Sequence, residues 1–218
     1  HPDHASLVNI NQPEMMSHAI ADEKALIPLL EKASVLVLGP GLGRTPWSEA
    51  LFQTALAADL PTVIDADGLF WLEQSDKDPQ DNWVLTPHAK EAAHLLRGNL
   101  DDVLVNRFKT LDQLHTHYGG VAVLKGCGSL IGSEEIPVLC PYGNPGMASG
   151  GMGDLLAGII AGLIAQGIEI DLAAILGVYW HAMAADMAVE TVSEHGLIAT
   201  DLLPEIQRLL RFAESGYS

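Results

Sequence analysis

Four short apolar runs punctuate the chain: Val35–Leu38, Thr62–Ile64, Trp83–Leu85 and Val121–Leu124. None of them alternates between apolar and polar positions. Uninterrupted runs of this length predict strands buried on both faces, as in a parallel sheet. Stretches with helical patterning lie between them. One opens at Thr45-Pro46, a hydroxyl cap followed by proline in the first turn, and is expected to run to about Ala58. Ser129–Gly132 and Ile136–Cys140, joined through Ser133-Glu134-Glu135, predict a hairpin lying antiparallel at a sheet edge. Three helical stretches follow, near Leu155–Gln166, Leu172–Glu190 and Asp201–Phe212. No repeat, low-complexity linker or change of composition divides the chain, so a single domain over residues 1–218 is expected. The pattern predicts an α/β fold, a mostly parallel central sheet with helices on both faces.

In such sheets ligands bind beyond the C-terminal ends of the strands. Each apolar run here stops at a polar or glycine-rich segment: Gly39–Gly43, Asp65–Gly68, Thr86–His88 and Lys125–Ser129. The most specific segment comes later, as Asn144–Asp154, NPGMASGGMGD, leading into the apolar stretch from Leu155. Its glycines let backbone N–H groups approach a ligand, and a following helix adds a partial positive charge. Together these make an anion site. An aspartate in that place works against phosphate binding unless it has chemistry to do. The segment therefore points to phosphoryl chemistry with Asp154 as proton acceptor.

The other segments each carry two readings. Gly39–Arg44 is either a tight strand-to-helix turn or a ligand loop. It has neither a Walker Gly-Lys-Ser/Thr nor GxGxxG spacing. Lys125 is either an exposed residue before a hairpin or a point charge aimed at phosphate. Cys127 is read as a small residue, not a nucleophile. His88 stands at a strand end, able to make one hydrogen bond to a ligand. Glu91, one turn on, is either a first-turn acid favoured by the helix dipole or a holder of a metal-bound water. Asp65 and Asp67 fit Mg²⁺ or helix capping, with at least one expected to cap a helix over Gly68–Gln74. Phe70, Trp71 and Trp83 read as core. Gly158 and Gly162, four apart, suggest close helix packing.

Composition narrows the partners. With 11 basic against 28 acidic residues the net charge is −17, which excludes nucleic acid and anionic membrane surfaces as expected partners but not a small anion. The apolar share of 48% is ample for a core. Two cysteines, Cys127 and Cys140, make neither a disulfide framework nor a zinc cluster. The start, His1-Pro2-Asp3-His4, lacks the pattern of a leader, and Leu155–Ile168 has 14 uncharged residues where about 20 would span a membrane. A cytoplasmic protein is expected.

The segments GPGLG (Gly39–Gly43), TPHAKE (Thr86–Glu91), KGCGS (Lys125–Ser129) and NPGMASGGMGD (Asn144–Asp154) occur in the order, and at intervals similar to those, of the ADP-dependent NAD(P)H-hydrate dehydratases. The resemblance runs from about Asn9 to Leu210. It implies a ribokinase-like three-layer sandwich. It implies dehydration of the S epimer of NADH hydrate or NADPH hydrate back to the cofactor, with ADP converted to AMP and phosphate. By that resemblance Asp154 is the catalytic base, and Gly43, His88 and Asp154 contact the hydrated nucleotide. Lys125, Gly126, Cys127, Gly128, Ser129, Asn144, Gly146, Gly150, Gly151 and Gly153 contact ADP or AMP. Mg²⁺ is expected with the ADP, near Glu91, and a homotetramer is implied. Position 129 often holds threonine in these enzymes. They carry roughly one more strand-and-helix unit before the residue matching His1, and many bacterial members also carry an epimerase domain. A chain shortened at its N-terminus is therefore expected. Two other functions remain in play: a ribokinase-like kinase for a vitamin precursor or sugar, and a nucleotide-binding module without catalysis.

Overall fold

The structure, a computed structural model, describes residues 1–8, 10, 12–133 and 136–215. Its sheet comprises β1 (Leu36–Leu38), β2 (Thr62–Ile64), β3 (Trp83–Leu85), β4 (Val121–Leu124), β5 (Leu130–Gly132) and β6 (Val138–Leu139), in that spatial order. The first four strands are parallel and the last two antiparallel. The expected hairpin is thus β5–β6 at one edge; its tip at Glu134-Glu135 lies outside the described residues. The helices among the described residues are α1 (Pro2–Val8), α2 (Glu23–Leu30), α3 (Pro46–Leu56), α4 (Asp67–Glu73), α5 (Ala89–Leu95), α6 (Leu100–Val105), α7 (Arg107–Tyr118), α8 (Met152–Ala165), α9 (Ile170–Ala188) and α10 (Leu202–Ser215).

The strand order follows the sequence, and parallel crossovers share one hand. The helices that connect β1 to β4 therefore stack on one face. Ile64, Leu85, Ala122 and Leu124 point into that layer, against Phe52, Leu72 and Leu111. Val63, Val84, Val121 and Val123 point the other way, against α8 and α9 through Ala157, Ile160, Ala173 and Val178. The result is helix, sheet, helix, which is why three central strands carry no polar alternation. Strand β1 departs from the pattern: its Val37 is 42% exposed, and β2 is its partner on one side.

Local signals account for most helix starts. Thr45 caps α3, its hydroxyl accepting from Ser48 N–H, with Pro46 next. Helix α8 begins at Met152, earlier than the apolar pattern suggests, because Gly151 takes a left-handed backbone (φ 86°) and its carbonyl accepts the first helical bond from Leu155. Asp154 therefore lies inside the first turn of the helix.

The packing role expected of Gly158 and Gly162 is not borne out. Both lie on the outer side of α8, where an added Cβ would meet nothing within 4 Å. The close contact between α8 and α9 uses Gly177 instead, where a Cβ would fall 2.5 Å from Ile160 Cγ1.

Candidate active site

The strand ends converge as the topology requires. His88 and Lys125 bridge across β3 and β4, with Lys125 N–H donating to Pro87 O at 2.9 Å. Lys125 Nζ donates to Asp65 Oδ1 at 2.7 Å, and the two side chains are 19% and 2% exposed. A β-carbon placed on Gly153 would lie 3.2 Å from Lys125 Nζ and 3.3 Å from Asp65 Oδ2. The first turn of α8 thus rests on this ion pair, and glycine allows the approach. Asp154 follows, exposed to solvent at the positive end of a 14-residue helix.

Asp67 serves the neighbouring loop. Its carboxylate accepts from Gly43 N–H at 3.0 Å and from Arg44 Nε at 2.9 Å. Trp71 Nε1 donates to Gly43 O at 3.0 Å, so both backbone groups of Gly43 are spent inside the loop. What Gly43 offers a ligand is a bare Cα at φ 77°. Arg44 lies over the Phe70 ring at 4.2 Å. Helix α4 has no side-chain cap: its N-cap is Ala66, so the capping expected of Asp65 or Asp67 gives way to the stronger claims of Lys125, Arg44 and Gly43. Trp71 and Trp83 are buried, as expected of core residues.

His88 and Glu91 form a reciprocal cap on α5. Glu91 Oε2 accepts from His88 N–H at 2.8 Å, and His88 Nδ1 accepts from Glu91 N–H at 3.2 Å. Accepting at Nδ1 places the proton of a neutral ring on Nε2, on a side chain 53% exposed. Glu91 is therefore an N-terminal cap whose Oε1 makes no hydrogen bond among the described residues.

The Lys125–Ser129 loop closes on itself through Gly126 N–H to Ser129 Oγ at 3.3 Å. Arg107 clamps it from α7, donating to Cys127 O at 2.8 Å and Leu124 O at 3.2 Å. Asn144 is equally committed: Oδ1 accepts from Gly146 N–H at 3.1 Å, and Nδ2 donates to Asp186 at 3.0 Å. Asp186 also takes Gly143 N–H at 2.9 Å. An open pocket lined by Pro145, Gly146, Ala148, Ser149, Glu194 and His195 flanks the first half of the glycine segment. Gly150 and Gly151 are exposed beside it.

Residues 1–208 match a family model described as NAD(P)H-hydrate dehydratase. The chain belongs to the NAD(P)H-hydrate dehydratase family. It is 47% identical over 210 residues to a bifunctional NAD(P)H-hydrate repair enzyme of Coxiella burnetii, covering 96% of this chain and 43% of that protein. A second enzyme of that description, from Vibrio cholerae, is 41% identical over 96% of this chain and 42% of its own length. The chain thus spans less than half the length of these curated relatives. Among solved structures, a ribokinase-like superfamily protein of Enterococcus faecalis superposes with a TM-score of 0.78 at 27% identity, covering 96% of this chain and 73% of that one. The expected ribokinase-like fold is borne out.

For a member of the NAD(P)H-hydrate dehydratase family, several motif residues lie at the C-terminal ends of the strands, while several of their partners were not singled out from sequence. Arg107 carries one weak signal, a cation in the first turn of a helix, where the dipole disfavours it. Asp186 is an acid near the end of an alanine-rich helix whose other acid, Asp171, lies in its first turn. His181 also escaped notice. It is 6% exposed on α9, and its Nε2 has no partner among the described residues. Burial, and then the Lys125 charge, push its pKa down to about 4, against a hydrogen bond to the Met152 backbone.

Proposed function

We propose that this chain dehydrates (S)-NADH hydrate and (S)-NADPH hydrate to the reduced cofactors, using ADP and releasing AMP and phosphate. Family membership supports the reaction class, and one observation carries the mechanism. An exposed carboxylate, Asp154, stands one residue past a glycine seated on a buried ion pair at a helix N-terminus. A base and an anion site therefore adjoin.

In this reading Asp154 takes the proton of the ring hydroxyl as that oxygen attacks the terminal phosphorus of ADP. The bond from that phosphorus to the bridging oxygen breaks, and AMP leaves. The phosphate then departs from the ring carbon, the adjacent carbon loses a proton, and the ring double bond re-forms. N–H groups of Gly150–Gly153 and the Lys125 ammonium stabilise charge on the transferring group. Gly43 and His88 contact the hydrated ring side, with His88 Nε2–H as donor. Lys125–Ser129 and the segment Asn144–Gly153 contact the nucleotide. Cys127, Asn144 and Ser129 contribute shape, since their loops are closed by internal bonds.

Mg²⁺ fits as an ion carried on the diphosphate. Among the described residues no three acidic, histidine or cysteine side chains form a metal cage, and Asp65 and Asp67 are both engaged. Mg²⁺ is commonly held by one or two carboxylates plus substrate phosphates. Glu91 Oε1 would hold a metal-bound water, and the ion would supply charge neutralisation on the diphosphate. A Bacillus subtilis enzyme of this fold, 24% identical with a TM-score of 0.82, is described as ADP/ATP-dependent and was co-crystallised with ATP and Mg²⁺.

The test is turnover of hydrated NADPH with ADP, ATP or neither, followed by product analysis. Recovery of NADPH together with AMP and phosphate is expected. A phosphorylated product that accumulates without recovery of NADPH would mean a kinase, and ADP binding without any turnover would mean a binding module.

A further inference from the structure

Asp65 and Asp67 are two residues apart, yet they serve different loops. Asp65 reaches Lys125, on the nucleotide side of the proposed site. Asp67 reaches Gly43 and Arg44, on the hydrate side. Neither caps α4. What turns them apart is Ala66, held at φ 49° and ψ −121°. Residues with a β-carbon rarely adopt such a backbone, and it persists only where the surroundings over-determine it.

The surroundings do so here. A β-carbon on Gly39 would fall 1.8 Å from Asp65 O, and one on Gly68 would fall 2.3 Å from Leu38 O. Asp65 N–H donates to Leu38 O at 3.2 Å, and Gly68 N–H to Asp65 O at 2.9 Å. The end of β1 and the turn after β2 are therefore packed backbone to backbone, with no room to relax. On the far side, the Asp65 carboxylate is 2% exposed and pins an ammonium directly beneath Gly153.

The geometry points to Asp65-Ala66-Asp67 as a positioning turn that sets the two substrate loops against each other, Asp65 through Lys125 and Asp67 through Gly43 and Arg44. Neither carboxylate touches substrate. Asp65 competes with the diphosphate for Lys125, so the ammonium is held for the transferring phosphoryl and not given over to ground-state binding. Interactions that strengthen only in the transition state raise kcat, whereas those made equally in the ground state only tighten binding. This assignment rests on the dehydratase reading above.

The experiment pairs calorimetric ADP binding with steady-state kinetics on hydrated NADPH, for wild type, Asp65→Asn and Asp67→Asn. Asp65→Asn is expected to bind ADP about fivefold more tightly, because a negative charge beside the diphosphate is gone. Its kcat should fall about tenfold or more, as a loosened catalytic group does. Asp67→Asn should raise the KM for the hydrate about tenfold with ADP affinity unchanged. Asp65→Asn leaving ADP binding unchanged or weaker, or Asp67→Asn altering it, overturns the assignment. So does an equal shift of both substrates' KM values in both variants. If Asp65→Asn does not fold, Asp65→Glu carries the test. It keeps the charge and shifts it by one methylene, so ADP affinity should hold while kcat falls as Lys125 is displaced; kinetics like wild type would overturn the idea. Inactivity of wild type sinks the dehydratase reading itself, and the two ADP affinities still decide whether Asp65 and Asp67 serve separate loops.

Discussion

In the proposed mechanism Asp154 is the residue on which the chemistry turns. Asp154→Asn removes the proton acceptor and leaves the glycine segment, Lys125 and the helix N-terminus in place. ADP binding should persist within a fewfold by calorimetry, while turnover drops by about three orders of magnitude, the middle of the usual range for a general base. Substantial residual turnover would take Asp154 out of that role. The residues proposed to carry the reaction were legible in the sequence because each belongs to a local motif: Gly43, His88, Lys125 and the glycines before Asp154. Their partners were not. Asp65 and Lys125 are 60 residues apart, and Asp186 is 42 from Asn144. Such pairings arise only when strands and helices are brought together. They explain why the side chains of Asp65 and Asp67, open to capping or Mg²⁺ on local evidence, do not cap α4 and instead engage Lys125, Gly43 and Arg44.

At the scale of elements, the strands were readable because burial on both faces leaves uninterrupted apolar runs. Helix α8 was placed correctly but begun too late, since a left-handed glycine before a helix carries no apolar signal. The glycines within it were misread for a related reason. Spacing by four puts Gly158 and Gly162 on one face, but it does not say which face meets α9. The structure makes opposite predictions for two kinds of glycine. Gly158→Ala and Gly162→Ala should each stabilise the protein by about 0.5–1 kcal/mol, as alanine gains helix propensity without meeting a neighbour. Gly177→Ala should destabilise by about 1–3 kcal/mol, because its β-carbon meets Ile160. Urea unfolding midpoints on the three variants check this directly, and equal effects would contradict the α8–α9 packing.

Across the whole molecule, the layers meet at the site. The sheet supplies Lys125, α8 supplies Asp154 and α9 supplies His181 beneath Met152. Of the 11 basic residues, Arg44, Arg107 and Lys125 stand on this edge, held by Asp67, by loop carbonyls and by Asp65, so cations gather there in a chain with a net charge of −17. His181 links this arrangement to global stability. In the unfolded chain its imidazole titrates near 6.5, and in the folded one near 4. Between those values the unfolded state holds more protons, so stability rises with pH. His181's share is complete above about pH 6.5 and is lost as pH falls toward 4, amounting to of order 3 kcal/mol. Thermal unfolding across that window should show a shallower dependence in His181→Asn; an unchanged slope would remove His181 as its source.

The central claim is that ADP-driven phosphorylation of the hydrate's ring hydroxyl, with Asp154 as the base, restores a reduced nicotinamide ring. The most direct measurement follows the reduced-nicotinamide absorbance band after mixing the protein with hydrated NADPH and ADP. The band should return with AMP and phosphate in equal amounts, stay absent without nucleotide, and stay absent in Asp154→Asn. A band that fails to return while phosphorylated hydrate accumulates, or one that returns at full rate in Asp154→Asn, would contradict the account.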